Sequence, residues 1–74
     1  MLSAKVETLI AVSETLNFTR AAEQLNLTQP AVSHHIKQLE EELGVKIFIR
    51  DGNGLKLTPE GEVVLKYARR MNAL

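Results

Sequence analysis

Cysteine and tryptophan are missing from this chain of 74 residues, and aromatic residues make up only 4% of it. Without cysteine there can be no disulfide, no thiolate zinc site and no cysteine nucleophile. No apolar run approaches the roughly 18 residues of a membrane span, and the start, MLSAKVETLI, lacks the basic and then apolar profile of a signal peptide. We therefore expect an intracellular protein with no membrane segment.

The chain has no net charge, because its nine basic and nine acidic residues sum to a formal charge of zero. That balance counts mildly against a nucleic-acid partner, unless the charges are unevenly distributed. Hydrophobic residues make up 45% of the chain and charged residues 24%, the ordinary range of a folded protein. A chain of this length forms one small domain.

The first two predicted elements are helices. Ser3 is the expected N-cap of the first helix, whose apolar stripe at helical spacing comprises Val6, Leu9, Ile10, Ser13 and Leu16. Thr19 is the predicted N-cap of a short second helix. The small side chains of Ala21 and Ala22 in that helix allow a neighbouring helix to approach closely, and Asn26 ends it.

The third helix is predicted to begin after Thr28, its N-cap, with Pro30 in the first turn, where a missing amide hydrogen costs little. Its buried stripe is predicted to comprise Val32, Ile36, Leu39 and Leu43. Gly44 then ends the helix as a C-cap glycine does.

After Gly44 the pattern changes to a hairpin and a last helix. Residues 45–50, VKIFIR, are rich in β-branched and aromatic residues, and the turn-forming DGNG separates them from a second run, LKLT. Thr58 and Pro59 repeat the cap-and-proline start of a helix. The sequence therefore predicts a mainly α fold, a winged helix-turn-helix, with residues 1–58 as its body and residues 59–74 as a C-terminal helix.

One face of the third helix is polar and carries acid only near its C-terminal end. A repeat of 3.6 residues per turn places these residues on one face, opposite the apolar stripe and with Gln29 and Gln38 beside it: Pro30, Ser33, His34, Lys37 and Glu41. Between residues 26 and 39 there is no Asp or Glu, and acid begins only at Glu40. Such a face is either an ordinary solvated helix surface or a surface that meets a polyanion.

This face has the chemistry needed to read DNA. A helix entering the major groove by its N-terminal end would bring Gln29, Ser33 and His34 to base edges and direct the positive end of its dipole at phosphate. Glutamine pairs with adenine, serine can serve base or phosphate, and histidine can donate to guanine. The preceding short helix, the tight turn and the wing favour this interpretation over the solvated one.

The hairpin carries Lys46, Arg50 and Lys56 against one acid, Asp51. These lysines either keep a short ribbon soluble or lie along a phosphate backbone or minor groove, with Asn53 at the tip. We predict a phosphate contact for Arg50, Asn53 and Lys56.

Metal binding and catalysis find no support in the sequence. His34 and His35 are adjacent, so on a helix they point about 100° apart and cannot chelate one ion. No nucleophile, base and orienting acid are brought together, and no glycine-rich phosphate loop is present. We expect no cofactor and no enzymatic activity.

The last helix has an apolar stripe that could pack on the domain's own core or on a second copy. Its predicted members are Val64, Ala68, Met71 and Leu74. Because the wing separates this helix from the first three, we predict that the stripe forms a homodimer.

The segment FTRAAEQLNLTQPAVSHHIKQLEEELGVKIFIR, followed by LTPEG, closely resembles the N-terminal DNA-binding domain of LysR-type transcriptional regulators of bacteria. The paired alanines, the TQPAVS helix start, the LEEELG ending, the F-x-R strand and the LT-x-x-G helix start occur in the same order and spacing. The resemblance implies a winged helix-turn-helix whose third helix enters the major groove and whose fourth helix is a dimerising linker. It also implies a larger effector-binding domain, which we expect this chain to lack.

Carried over by position, the resemblance implies base and backbone contacts for this group: Thr28, Gln29, Pro30, Ser33, His34 and Arg50. Together with Thr19, Lys37, Asn53 and Lys56, these are the predicted DNA-binding residues. We expect a homodimer that binds double-stranded DNA at a partly palindromic operator, in the cytoplasm and associated with the nucleoid. The alternative is a winged-helix module that uses the same face to hold another protein.

Overall fold

A computed structural model describes residues 3–73 of the chain. Its first helix, α1 (Ala4–Thr15), begins as predicted, because the Ser3 hydroxyl accepts a hydrogen bond from the Val6 amide at 3.2 Å. Leu16 was expected to continue the apolar stripe. It is instead the C-cap, with a left-handed backbone (φ 50°) and a side chain that is 44% exposed.

The N-cap of the second helix, α2 (Phe18–Leu25), is Asn17, so the prediction of Thr19 as the cap was wrong. The Asn17 side-chain oxygen accepts from the Arg20 amide at 2.9 Å, which starts the helix two residues earlier than Thr19 would allow. Asparagine is at least as good an N-cap as threonine, and Thr19 consequently lies exposed in the first turn. Asn26 ends the helix in the left-handed conformation, as expected.

Helix α3 (Gln29–Leu43) has both predicted ends. The Thr28 hydroxyl accepts from the Ala31 amide at 3.2 Å, and Gly44 adopts the left-handed conformation (φ 70°) at the C-cap. Val32 and Ile36 are buried, whereas Leu43 is 50% exposed. The buried part of the predicted stripe is therefore confined to the first half of the helix and the partly buried Leu39.

The hairpin consists of β1 (Phe48–Asp51) and β2 (Gly54–Leu57), which pair antiparallel with Phe48 opposite Leu57. The first strand was predicted from residue 45, but Ile47 bonds elsewhere. Its amide donates to the Glu40 carboxylate at 2.8 Å, and its carbonyl accepts from the Thr58 amide at 2.9 Å. These bonds fasten the segment before the strand to α3 and to the start of the last helix.

Helix α4 (Pro59–Ala73) begins in a tight joint with that segment. The buried Thr58 hydroxyl accepts from the Gly61 amide at 2.8 Å and donates to the Lys46 carbonyl. It therefore caps α4 and also joins the start of α4 to the segment before β1. A Cβ at Gly61 would overlap the Ile47 carbonyl oxygen. The LT-x-x-G pattern is thus explained by a close approach of two backbone segments.

The core lies where α1, α2 and α3 meet, with the hairpin and α4 against it. The largest fully buried side chains are Leu9, Ile47, Val12, Val32 and Thr8. Ala21 and Ala22 are 0% and 5% exposed, which confirms the predicted close helix approach at α2. The order of helices, hairpin and helix in residues 3–73 confirms the predicted mainly α, winged helix-turn-helix architecture.

Candidate nucleic-acid interface

The outer face of α3 is polar and exposed, as its periodicity predicts. Gln29, Pro30, His34 and Lys37 are exposed and Ser33 is half-buried. The first turn contains no acid. This face is therefore exposed, and α3 contains no carboxylate before Glu40 and Glu41 in its C-terminal part.

The N-terminal end of α3 has some of its hydrogen-bonding capacity already in use. Pro30 has no amide hydrogen, and the Ala31 amide is bonded to Thr28. The Gln29 side-chain amide donates to the Ser33 hydroxyl at 2.9 Å. Each of these two side chains keeps further polar groups for a ligand: Gln29 its carbonyl oxygen, and Ser33 its hydroxyl hydrogen.

Only one of the two adjacent histidines lies on this face. Nδ1 of His35 lies 2.8 Å from the hydroxyl of Thr8, a residue of α1 that is 0% exposed. His35 is half-buried between the two helices, whereas His34 is exposed. His34 therefore lies on the outer face of α3 and His35 does not, because consecutive helical residues point about 100° apart.

A cleft of about 590 Å³ separates α3 from the hairpin and brings three predicted site residues together. Ser33 and Lys37 line it from α3, and Arg50 lines it from β1. Its other lining residues are mainly apolar: Phe18, Ile36, Phe48, Ile49 and Leu55, with Lys46 and Glu40. The cleft combines a cationic rim with an apolar floor.

Glu40 is the acid that lines this cleft, and its role is not evident from the sequence pattern. Its carboxylate accepts from the amides of Ile47 at 2.8 Å and Phe48 at 3.4 Å, and its side chain is only 15% exposed. Lys46 lies 3.9 Å from the other carboxylate oxygen. The charge of Glu40 is thus used to hold the hairpin against α3 and is turned away from solvent.

The tip of the hairpin carries an acid that offsets its basic residues. Lys56 Nζ lies 3.1 Å from an Asp51 carboxylate oxygen, and the other oxygen accepts from the Asn53 amide at 2.7 Å. The Asn53 amide, and secondly Lys56, hold the pKa of the Asp51 carboxyl below its ordinary value of 3.8. Lys56 is therefore paired, while Asn53 is exposed in the turn between the strands.

The residues predicted to form a dimer stripe on α4 do not share one exposed surface. Ala68 is 4% exposed and belongs to the core of its own chain, and Val64 packs against that core. Met71 is 51% exposed, and Leu74 lies outside the described residues. An exposed apolar stripe does exist on α4, but it runs along Val63, Tyr67 and Met71.

Residues 3–73 contain neither a metal-binding cluster nor a membrane-spanning helix. No group of three or more His, Asp or Glu side chains there could hold a metal ion. None of the helices in this part of the chain is long and apolar enough to cross a membrane.

Comparison with known proteins identifies the family. The profile of the bacterial regulatory helix-turn-helix proteins of the lysR family matches residues 4–62. The chain belongs to the lysR family. Among curated relatives, this LysR-family chain is 50% identical over 66 residues to the HTH-type transcriptional regulator HdfR of Yersinia enterocolitica, a match that covers 89% of this chain and 22% of HdfR.

Solved structures of LysR-family proteins share the fold. The BenM_DBD chain of the BenM_DBD/benA site 1 DNA complex is 37% identical, with a TM-score of 0.89 over 99% of this chain and 82% of that one. A LysR-family transcriptional regulator from Eggerthella lenta is 48% identical, with a TM-score of 0.83 over 95% of this chain and 99% of that one. The chain spans less than a quarter of the length of the curated relative HdfR.

Proposed function

We propose that this chain binds double-stranded DNA in a sequence-specific manner, as the DNA-binding part of a LysR-family transcriptional regulator. The observation that carries the proposal is the exposed face of α3, free of acid in its N-terminal part, beside a cleft rimmed by Lys37 and Arg50. A neutral protein can bind a polyanion only if its charges are segregated, and here residues 26–39 contain no acid while Glu40 and Asp51 each lie beside a lysine.

The relatives support the same function. BenM_DBD, whose fold this chain shares, has been solved as a complex with DNA. HdfR is an HTH-type transcriptional regulator and matches nearly all of this chain. We infer an activity of binding without catalysis, carried out in the bacterial cytoplasm on the nucleoid.

The proposed roles follow from position on the helix. Gln29, Ser33 and His34 lie on the leading part of α3 and would read base edges in the major groove. Pro30, beside them, would contact a thymine methyl group. In the free protein a hydrogen bond joins the side chains of Gln29 and Ser33. On binding, this bond would be replaced by hydrogen bonds from both side chains to base edges.

A second group of residues is assigned to the sugar-phosphate backbone. The Thr28 hydroxyl oxygen caps α3, which leaves its hydrogen free to donate to a phosphate. Lys37 and Arg50 would contact phosphates of the DNA strand that lies along the cleft. Further phosphate contacts are proposed for Thr19, Asn53 and Lys56 at the edges of the DNA-binding surface. Lys56 must exchange Asp51 for a phosphate, which makes it the weaker of the cationic contacts.

We further propose that residues 1–58 read DNA and that residues 59–74 belong to a helix that pairs two copies. The exposed stripe of Val63, Tyr67 and Met71 is the surface proposed for that pairing. Two recognition helices related by a two-fold axis would contact half-sites about one helical turn apart, or a multiple of it. The operator is then partly palindromic.

Selection of bound duplexes from a random DNA pool tests the proposed function. We expect enrichment of a partly palindromic sequence, and weaker binding when its half-sites are scrambled at constant composition. If the chain is instead a module that holds another protein, no sequence is enriched and no duplex is shifted in a gel.

A further inference from the structure

We propose that Phe18 is a positioning residue for Arg50, holding the guanidinium in place for its contact with DNA. This role rests on the proposed DNA-binding function. Phe18 is the first residue of α2, directly after the Asn17 cap, and was not among the residues predicted to form the site.

Three side chains connect α2 to the hairpin. The rings of Phe18 and Phe48 pack edge to face, with centroids 6.3 Å apart and an interplanar angle of 74°. The guanidinium carbon of Arg50 lies over the Phe18 ring, 5.5 Å from its centroid. Because Phe48 and Arg50 are two residues apart on β1, both point to the side of the hairpin that faces the helices.

The Phe18 ring lies beside the Arg50 guanidinium and does not neutralise its positive charge. Within residues 3–73 Arg50 has no carboxylate at ion-pair distance, so its charge remains available to a phosphate. The aromatic face attracts the guanidinium but leaves its N–H donors free at the edge of the plane. Phe18 thereby orders the long Arg50 side chain without neutralising it.

An ordered arginine loses less conformational freedom when it meets DNA. The base of this arrangement is fixed, since Phe18 packs against the core and its helix is capped by Asn17. Arg50 lines the same cleft as Ser33 and Lys37, so the ring aligns the wing contact with the contacts of α3.

A double-mutant cycle tests the role, with Phe18→Leu, Phe18→Tyr, Arg50→Ala and the Phe18→Leu/Arg50→Ala pair. Affinity for the selected duplex is measured for each. We expect Phe18→Leu to weaken binding about two- to fivefold and Phe18→Tyr, which keeps the ring, to bind within about twofold of wild type. In the Arg50→Ala background, Phe18→Leu should have no further effect.

A merely structural role gives a different pattern. If Phe18 only stabilises the fold, Phe18→Leu weakens binding equally with and without Arg50, and that result overturns the proposal. Thermal melting of each variant identifies any loss of folded protein before affinities are compared.

Proton NMR of the free protein supplies a readout that needs no DNA. In wild type the ring current of Phe18 should shift the Arg50 side-chain protons upfield, and Phe18→Leu should remove that shift. No upfield shift in wild type overturns the stacked arrangement, whether or not DNA is bound. If the stack is present but wild type binds no duplex, the proposed function fails and the role in DNA binding fails with it.

Discussion

The side-chain amide of Gln29 and the hydroxyl of Ser33 lie 2.9 Å apart on the face of α3 proposed to enter the major groove. Ser33→Glu would place a carboxylate among the phosphates, and like charges in an interface cost several kcal/mol. We therefore predict a loss of affinity of about a hundredfold with an unchanged melting temperature. Fluorescence anisotropy measures the affinity, and Ala4→Glu, at an exposed position of α1, is the charge-matched control. Undiminished binding by Ser33→Glu would remove α3 from the groove.

Removing the acid at the wing tip should strengthen DNA binding. In Asp51→Asn the side-chain oxygen still accepts from the Asn53 amide, but Lys56 is released and a carboxylate is lost. Because the pKa of Asp51 lies below its ordinary value, the carboxylate of wild type is fully charged at neutral pH. We predict a lower dissociation constant and a steeper dependence on salt, by about one phosphate contact.

The control for this prediction is Glu7→Gln, which removes an exposed acid from α1 and leaves the wing unchanged. It should alter affinity much less than Asp51→Asn does. Equal effects of the two substitutions would mean that only net charge matters and that the wing is not at the phosphates.

Gly61→Ala should strongly destabilise the fold, since a Cβ there overlaps the Ile47 carbonyl oxygen. We expect a loss of about 2–4 kcal/mol in the free energy of unfolding, measured by urea titration. Gly52→Ala is the matched control, because a Cβ at Gly52 meets open space in the hairpin turn. Similar stabilities for the two variants would show that α4 does not approach the backbone at Ile47 so closely.

Substitutions on α4 should separate dimerisation from folding. Met71→Asp, on the exposed stripe, should lower the mass seen by sedimentation without unfolding the chain, and Asn72→Asp should leave the mass unchanged. Ala68→Asp should instead unfold the domain, because it buries an unpaired charge in the core. A folded, dissociated Ala68→Asp variant would place Ala68 in the dimer interface after all.

Much of the fold could be predicted from local patterns. Two helices begin at the N-caps Ser3 and Thr28, and one ends at the C-cap Gly44. Each cap bonds to residues only a few positions away, so it can be predicted from the sequence. The start of α2 was missed because Asn17 and Thr19 are both good caps and only the geometry decides between them. The start of β1 was missed because residue 47 bonds to Glu40 and Thr58, which are distant in the sequence.

The exposure of the candidate site residues was predictable on the face of α3 and less so where it depends on packing between elements. The spacing of Ser33 and Lys37 identified the open side of α3. The same spacing could not show that His35 bonds to Thr8, or that Ala68 faces its own core, because both depend on how α1 lies against its neighbours. Phe18 gave no signal, since a single aromatic at a helix start is usually a packing residue.

The salt dependence of binding by the wild-type chain tests whether α3 and the hairpin bind DNA through its phosphates. Affinity for the selected duplex and for its scrambled counterpart is measured between about 50 and 200 mM salt. If α3 and the wing contact several phosphates, the dissociation constant for the selected duplex rises at least about tenfold over this range and stays below that of the scrambled one. Binding that is insensitive to salt and to sequence, or no binding at all, would mean that α3 and the hairpin do not form a DNA-binding surface.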